Sequence, residues 1–246
     1  MAIIYQALQY LHILVGAAAL VLFWVPMAAT KGSSTHKRLG TLYANAMYIV
    51  SVSGVVMCIM VLLAPMTFKP QLAELSGEQL IMTIARLRVF ETFLLALSLL
   101  VFVSIQHGLL VLKAKQNREL LKTPWHLVSV MSLTLSGFVV LYFGLQQSHT
   151  LYMIFGVLCS VSGVSTFHYI FKASIKEREW VIEHLSALVG SGIAVYTAFF
   201  AVGGRHLLSE LLPGQWQVLP WVLPGVIGGV MISRYKKTVN KQFKVQ

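Results

Sequence analysis

The sequence predicts an all-α membrane protein, a polytopic bundle of seven transmembrane helices forming one domain over residues 1–246. Three observations predict it. Charged residues make up 11% of the chain and hydrophobic ones 57%, whereas a soluble domain carries about 25% charged residues. The apolar residues fall in runs of about 20, the length that crosses a hydrocarbon core of ~30 Å. Lysine and arginine gather in the turns that follow alternate runs, which is the asymmetry of a positive-inside protein.

Taken in order, the expected spans are Tyr5–Ala29, Leu42–Leu63, Phe90–Leu112, Trp125–Leu145, Thr150–Phe171, Val181–Val202 and Val218–Ile232. The first begins almost at Met1, with no basic segment and no small-residue cleavage site before it, so it reads as an uncleaved span. Its outer end carries Gln9, His12 and Gly16, which the spacing places on one face. A polar stripe facing lipid is costly, so this one is expected to face the bundle. Its plain role is hydrogen bonding between helices. In the turn Lys31–Arg38, Ser34 or Thr35 is expected to cap the second helix, and His36 stands at its mouth.

The loop from Pro65 to Gly77 leads into Ser76-Gly-Glu-Gln79, a capping-box pattern, so the third helix starts there, outside the hydrocarbon. It carries Arg86 and Arg88 outside and Glu91 about one turn inside. Glu91 is expected to pair with Arg88 at i−3. The sharper reading joins Gln9, His12 and Glu91 into an outer-mouth polar site for a proton or cation step. The string Ser-Val-Ser-Gly-Val occurs at Ser51–Val55 and again at Ser160–Val164, on helices of opposite direction. An inverted repeat produces that relation, and so does close packing through small residues. Gly190, Gly192, Gly225, Gly228 and Gly229 read as packing positions too. The seventh span is short, contains Pro220 and Pro224, and starts at an aromatic anchor, Trp216–Trp221. It is expected either to line a cavity or to lie tilted at the periphery.

Of the 19 Lys and Arg residues, 15 fall after the first, third and fifth spans or in the basic tail 234–246. Lys69, Arg86, Arg88 and Arg205 lie on the other side. The N-terminus is therefore expected outside and the tail in the cytoplasm, which an odd number of spans requires. The net charge of +11 is dispersed over short turns. It points to a bilayer with anionic inner-leaflet lipids as the partner, not to nucleic acid. Cys58 and Cys159 fall mid-span and read as small packing residues. The chain has eight Glu and no Asp. Aspartate-dependent hydrolysis, a phosphate-cradling glycine loop, a His-Glu-x-x-His metal motif and a retinal lysine in the last span all lack their residues.

The histidines are the strongest chemical lead. In one hairpin Gln106-His107-Gly108 closes a run, a basic turn Lys113–Lys122 follows, and Trp125-His126 opens the next run. In another, Phe167-His168-Tyr169 closes a run, the turn is Lys172–Glu179, and Glu183-His184 opens the next. From the helical rise, His107 lies roughly 8 Å below the cytoplasmic boundary and His168 and His184 roughly 5 Å, with His126 and His36 shallower. Neutral imidazole is the commonest metal ligand, and bundles build haem and metal sites from facing helices. The expected cofactor is haem b or a single zinc or iron ion. For haem, the ligands come from His107, His168, His184, His126 and His36, with Lys37, Arg38 or Lys122 at the level of its propionates. For a metal ion, His107, His168 and His184 join Glu183 or Glu179. The plain alternative is that these histidines hydrogen-bond headgroups or helix ends. His149 and His206 lie at the outer surface and receive no role.

Leu11-His12-Ile-Leu-Val-Gly16, Lys31-Gly32…His36-Lys-Arg-Leu-Gly40 and Glu183-His184…Gly192-Ile-Ala-Val-Tyr-Thr-Ala198 resemble a family of predicted bacterial multi-pass membrane proteins of unestablished function. A fainter resemblance, in the histidines on either side of a basic turn, is to transmembrane b-type cytochromes, including di-haem ferric reductases; in this chain the outer layer offers His12 alone. The seven-helix zinc hydrolases of the ceramidase and progestin-receptor type are similar in topology only. The expectation is an inner-membrane protein with a histidine-built haem or metal site near its cytoplasmic face and a redox or electron-transfer role. The alternatives are a small-solute or ion/proton transporter and a structural or pH-sensing subunit. A homo-oligomer and a redox partner are left open.

Overall fold

The computed structural model describes residues 2–200, 212, 216 and 219–243. The expected span end at Val202, and Arg205, His206, Val218 and Lys244, lie outside the described residues. Among the described residues there is no strand. Eight α-helices follow one another: α1 Ala2–Ala28, α2 Ser34–Leu63, α3 Pro65–Phe68, α4 Gly77–Ala114, α5 Pro124–Gln146, α6 Thr150–Phe171, α7 Glu179–Ala198 and α8 Leu219–Phe243. Short 3-10 turns occupy Pro70–Glu74 and Arg118–Leu121. Six of these helices, α1, α2 and α4 to α7, are long and apolar enough to cross a membrane, so the protein is a multi-pass membrane protein. Large apolar side chains such as Leu14, Val21, Leu63, Leu135 and Leu145 stand exposed. Such a surface is a liability in water and the ordinary outer face in lipid.

The helices run beyond the expected spans where polar turns continue the helical pattern. The third, α4, is 38 residues long, about 57 Å at 1.5 Å per residue, and so projects beyond a ~30 Å core. It starts at Gly77, where the capping-box pattern places the start. The cap of α2 is Ser33, one residue earlier than expected. Its backbone is extended (φ −65, ψ 163) and its side chain accepts the His36 N–H, whereas Ser34 is already helical. The seventh expected span is part of α8, which continues without a break from its apolar start into the basic segment as far as Phe243. Its apolar part, 219–232, rises about 21 Å, short of the ~30 Å core.

The chain divides into two compact units: Met1–Val103 with Leu127–His168, and Ser104–His126 with Tyr169–Gln246. In the first unit His12 Nδ1 lies 3.0 Å from Ser53 Oγ, and the Ser53 hydroxyl donates to the Val50 carbonyl. The hydroxyl has one hydrogen, so it accepts from His12 Nδ1–H, and His12 ties α1 to α2. Gln9, expected on the same inward stripe, is exposed. A long amide near the end of a helix reaches the polar headgroup layer without entering the bundle.

Glycines set the spacing of α5 and α6. A β-carbon at Gly137 would lie 2.5 Å from Ser160 N, one at Gly144 2.6 Å from Met153 N, and one at Gly156 2.5 Å from Leu141 N. At Gly163 it would strike Thr134 Oγ1. Each helix supplies two glycines seven residues apart, and the four contacts share one antiparallel register. A seven-residue step returns to nearly the same side of a helix, so the glycines form a stripe along which the backbones approach closely. Small-residue packing accounts for Gly163 and also for Gly54, where a β-carbon would lie 2.5 Å from Ser98 Oγ. Gly190 and Gly229, read as packing positions, have open space instead, and Gly228 meets Ile193.

Gly156→Ala is expected to cost about 1–3 kcal/mol by overpacking, because the atoms it meets are backbone and cannot rotate away. Gly229→Ala, with nothing within 4 Å, is expected to be neutral or slightly stabilising. Denaturant unfolding of the purified protein in detergent compares them, and equal effects contradict the seam.

Candidate functional site

In the second unit, two basic loops bring three helix ends together. Lys115, at φ 48, stops α4, and Arg178, at φ 60, precedes α7. Between them the Arg118 guanidinium donates to the carbonyls of Tyr169, Lys172 and Ala173. Those are end-of-helix acceptors that α6 itself leaves unpaired. Lys172 pairs with Glu179 at 2.7 Å, and Glu179 also accepts the Lys176 N–H at 2.8 Å. The first turn of α7 is thereby fixed to the loop before it.

Gly108 then determines how near α7 comes to α4. A β-carbon there would overlap Leu188 Cδ2 and lie 3.2 Å from Ala187 Cβ. Because the position is glycine, His184 Nδ1 reaches the Gly108 carbonyl at 2.8 Å. Glu183, one residue earlier on α7, reaches His107.

The result is a chain of four side chains. Gln106 Oε1 lies 2.9 Å from His126 Nδ1, His126 Nε2 lies 3.1 Å from His107 Nδ1, and His107 Nε2 lies 3.1 Å from Glu183 Oε1. The two imidazole planes are 12° apart with centroids 5.3 Å apart, so the rings meet edge to edge along the bond. Exposure falls inward along the chain: the side chain of Glu183 is 29% exposed and that of His107 2%, and His126 is fully buried. The Glu183 end of the chain is partly exposed, and Gln106 at the other end is buried at 7% exposure.

Proton counting follows from this geometry. With the Gln106 oxygen toward His126, Nδ1 of His126 must donate, so its Nε2 accepts from His107 Nδ1–H. His107 Nε2 and Glu183 Oε1 then need one further proton between them, held as imidazolium beside carboxylate or as imidazole beside carboxylic acid. With the amide turned so that its nitrogen donates, every bond reverses. Both rings are then neutral and Glu183 is a carboxylate accepting from His107. The two arrangements differ by one proton. The chain is thus able to take up one proton at Glu183 and pass the change inward, with the Gln106 amide as its end stop.

Tyr169 borders the chain, its ring edge-on to His107 at 5.6 Å and its hydroxyl buried without a hydrogen-bond partner. Of the other expected residues, His168 is exposed. Depth along a helix is shared by neighbouring residues, but direction turns about 100° per residue; Tyr169 takes the inward direction and His168 the outward one. His36 Nδ1 lies 3.0 Å from the Pro26 carbonyl, and Lys31 donates to Pro26 and Met27, so both serve the end of α1. Lys37 and Arg38 are exposed. Lys122 pairs with Glu119 at 2.6 Å and sits over the Phe171 ring. Arg88 is exposed and makes no pair with Glu91: Glu91 is buried, with the Cys58 thiol beside its carboxyl.

A metal takes imidazole through a bare nitrogen lone pair. Both nitrogens of His107 and of His126 are in hydrogen bonds, so each ring must give one up to become a ligand. Among the described residues no group of three or more His, Cys, Asp or Glu side chains is arranged to hold a metal ion. Sequence reasoning assigned no role to Gln106 or Tyr169. Gln106 and His107 are adjacent on one helix and do not face each other; only the His126 ring, which bonds both, joins them.

No family model, curated protein or solved structure matches the chain.

The hydrogen-bonded pair is expected to be energetically coupled. In a double-mutant cycle on stability with His107→Phe and His126→Phe, the interaction energy is expected at about 0.5–3 kcal/mol, since either single change strands the other ring's nitrogen in a dry place. Additive effects contradict the chain.

Proposed function

We propose that this membrane protein is a proton carrier that loads one proton at the Glu183–His107–His126–Gln106 chain. The observation that supports this best is the chain itself: two buried imidazoles in series between a partly exposed carboxylate and a buried amide. Ionisable side chains inside membrane spans characteristically serve as proton relays and ion pathways. Histidine is the side chain whose ordinary titration lies nearest neutrality.

In this reading the protein sits in a bacterial inner membrane, with α8 completing an odd number of crossings. The N-terminus is outside and the basic end of α8 is in the cytoplasm, as the 15-to-4 division of Lys and Arg favours. The loops that hold the chain, 115–123 and 172–178, are among the basic ones, so Glu183 faces the cytoplasm. The haem or metal expectation draws on the same histidines and becomes an outcome of the test.

Two experiments check the proposal. Reporter fusions after Lys113 and Lys172 are expected to report cytoplasm, and a periplasmic signal at either contradicts the orientation. Purified protein in vesicles with an entrapped pH dye is expected to dissipate an imposed proton gradient. Glu183→Gln and His107→Phe are expected to slow this by about tenfold or more, the typical scale for loss of a positioned proton-transfer group being 10²–10⁴. Unchanged flux in folded variants contradicts the relay. A Soret band, or stoichiometric zinc or iron in the purified protein, returns the histidines to a redox role.

A further inference from the structure

The first unit holds a second ionisable group that the relay does not use. Glu91, on α4, is 5% exposed. The Cys58 thiol of α2 lies beside its carboxyl. Two cations lie near it in the sequence and a third, Lys69, acts on it across the fold, and none forms an ion pair with it. Arg86 and Arg88, on its own helix, are exposed. Lys69, beyond α3, contributes a field at Glu91, but its ammonium is hydrogen-bonded to the Tyr5 hydroxyl of α1 at 3.3 Å and lies over the Tyr5 ring. Glu91 is not part of the ion pairs His107–Glu183, Lys122–Glu119 or Lys172–Glu179. On α6 the neighbours of this turn of α4 are Tyr152 and Phe155, whose rings meet Phe93 at 5.2 and 5.6 Å.

Further polar groups lie along α2 and α4 from Glu91. Cys58 and Gly54 are one turn apart on the same face of α2, and Glu91 and Ser98 lie two turns apart on the same face of α4. Gly54 admits Ser98 Oγ and, from α1, His12 Cε1, which would be 3.5 Å from a β-carbon there. A file of Glu91, Cys58, Ser98, Ser53 and His12 therefore runs along otherwise apolar helix contacts.

A carboxylate removed from water and unpaired is very costly, and a buried charge persists only when paired or coordinated. With no cation in contact, a bound proton is the neutralising partner that fits. We propose that Glu91 is a proton-binding site of the membrane-embedded region, separate from the His107 chain and standing independently of it, with the Cys58 thiol beside its carboxyl.

The test uses N,N′-dicyclohexylcarbodiimide, a lipophilic reagent that activates protonated carboxyls in apolar surroundings, on the purified full-length protein in detergent. Peptide mass spectrometry is expected to find the adduct on Glu91. Once the carboxyl titrates, its protonated fraction and with it the labelling rate fall about tenfold per pH unit. Glu91→Gln is expected to lose that adduct, which separates the carboxyl from the Cys58 thiol. No adduct on Glu91 at any pH where the protein stays monodisperse overturns the proposal. So does a rate independent of pH. Protection by sodium at constant pH overturns the proton assignment in favour of a small monovalent cation.

Discussion

The site depends on one steric constraint, the close approach of α7 to α4 at Gly108. A β-carbon at that position would overlap Leu188, and the helix carrying Glu183 and His184 would have to move away. Without Glu183, His107 has an unpaired nitrogen in a place where its side chain is 2% exposed. Leaving a buried polar group unsatisfied costs about 1–3 kcal/mol, more than a made hydrogen bond usually contributes. The next link has the same dependence, since His126 is fully buried and relies on His107 and Gln106 for its two nitrogens. The chain is therefore satisfied as a whole or broken as a whole, which is why such networks are specific where they occur.

The same device recurs in the first unit with other consequences. In lipid, apolar side chains gain little by meeting each other, so helices associate where small residues let backbones close up and polar groups meet. The α5–α6 stripe uses glycine for packing alone. Gly54 uses it to admit Ser98 and His12, and Gly108 uses it to deliver a carboxylate to an imidazole.

Much of the fold was legible because the membrane enforces a length. The limits of α6, Thr150 and Phe171, coincide with the ends of its apolar run, and the start of α4 at Gly77 follows its capping pattern. The end of α8 was not, because a helix need not stop where its apolar stretch does. The site was half legible. Four histidines near basic turns pointed to one end of the helices, and of them His107 and His126 do meet. Depth, however, is only one coordinate: it placed His168 in the layer but not its direction, which Tyr169 takes. The i−3 spacing of Arg88 and Glu91 permitted a pair, yet burial against α2 turned Glu91 to Cys58. Gln106 was beyond reach, since its role exists only through a ring supplied by another helix.

The central claim is that His107 and His126 share a hydrogen bond within a chain ending at Glu183. Nitrogen-15 NMR of the full-length protein in bilayers, with labelled histidine, tests it most directly. The account predicts a through-bond coupling between His107 Nδ1 and His126 Nε2, with the two rings titrating as one coupled system. It also predicts that Glu183→Gln shifts the His107 resonances while the coupling persists. Two rings that titrate independently with no coupling between them, or nitrogen shifts showing either ring bound to a metal, would contradict it.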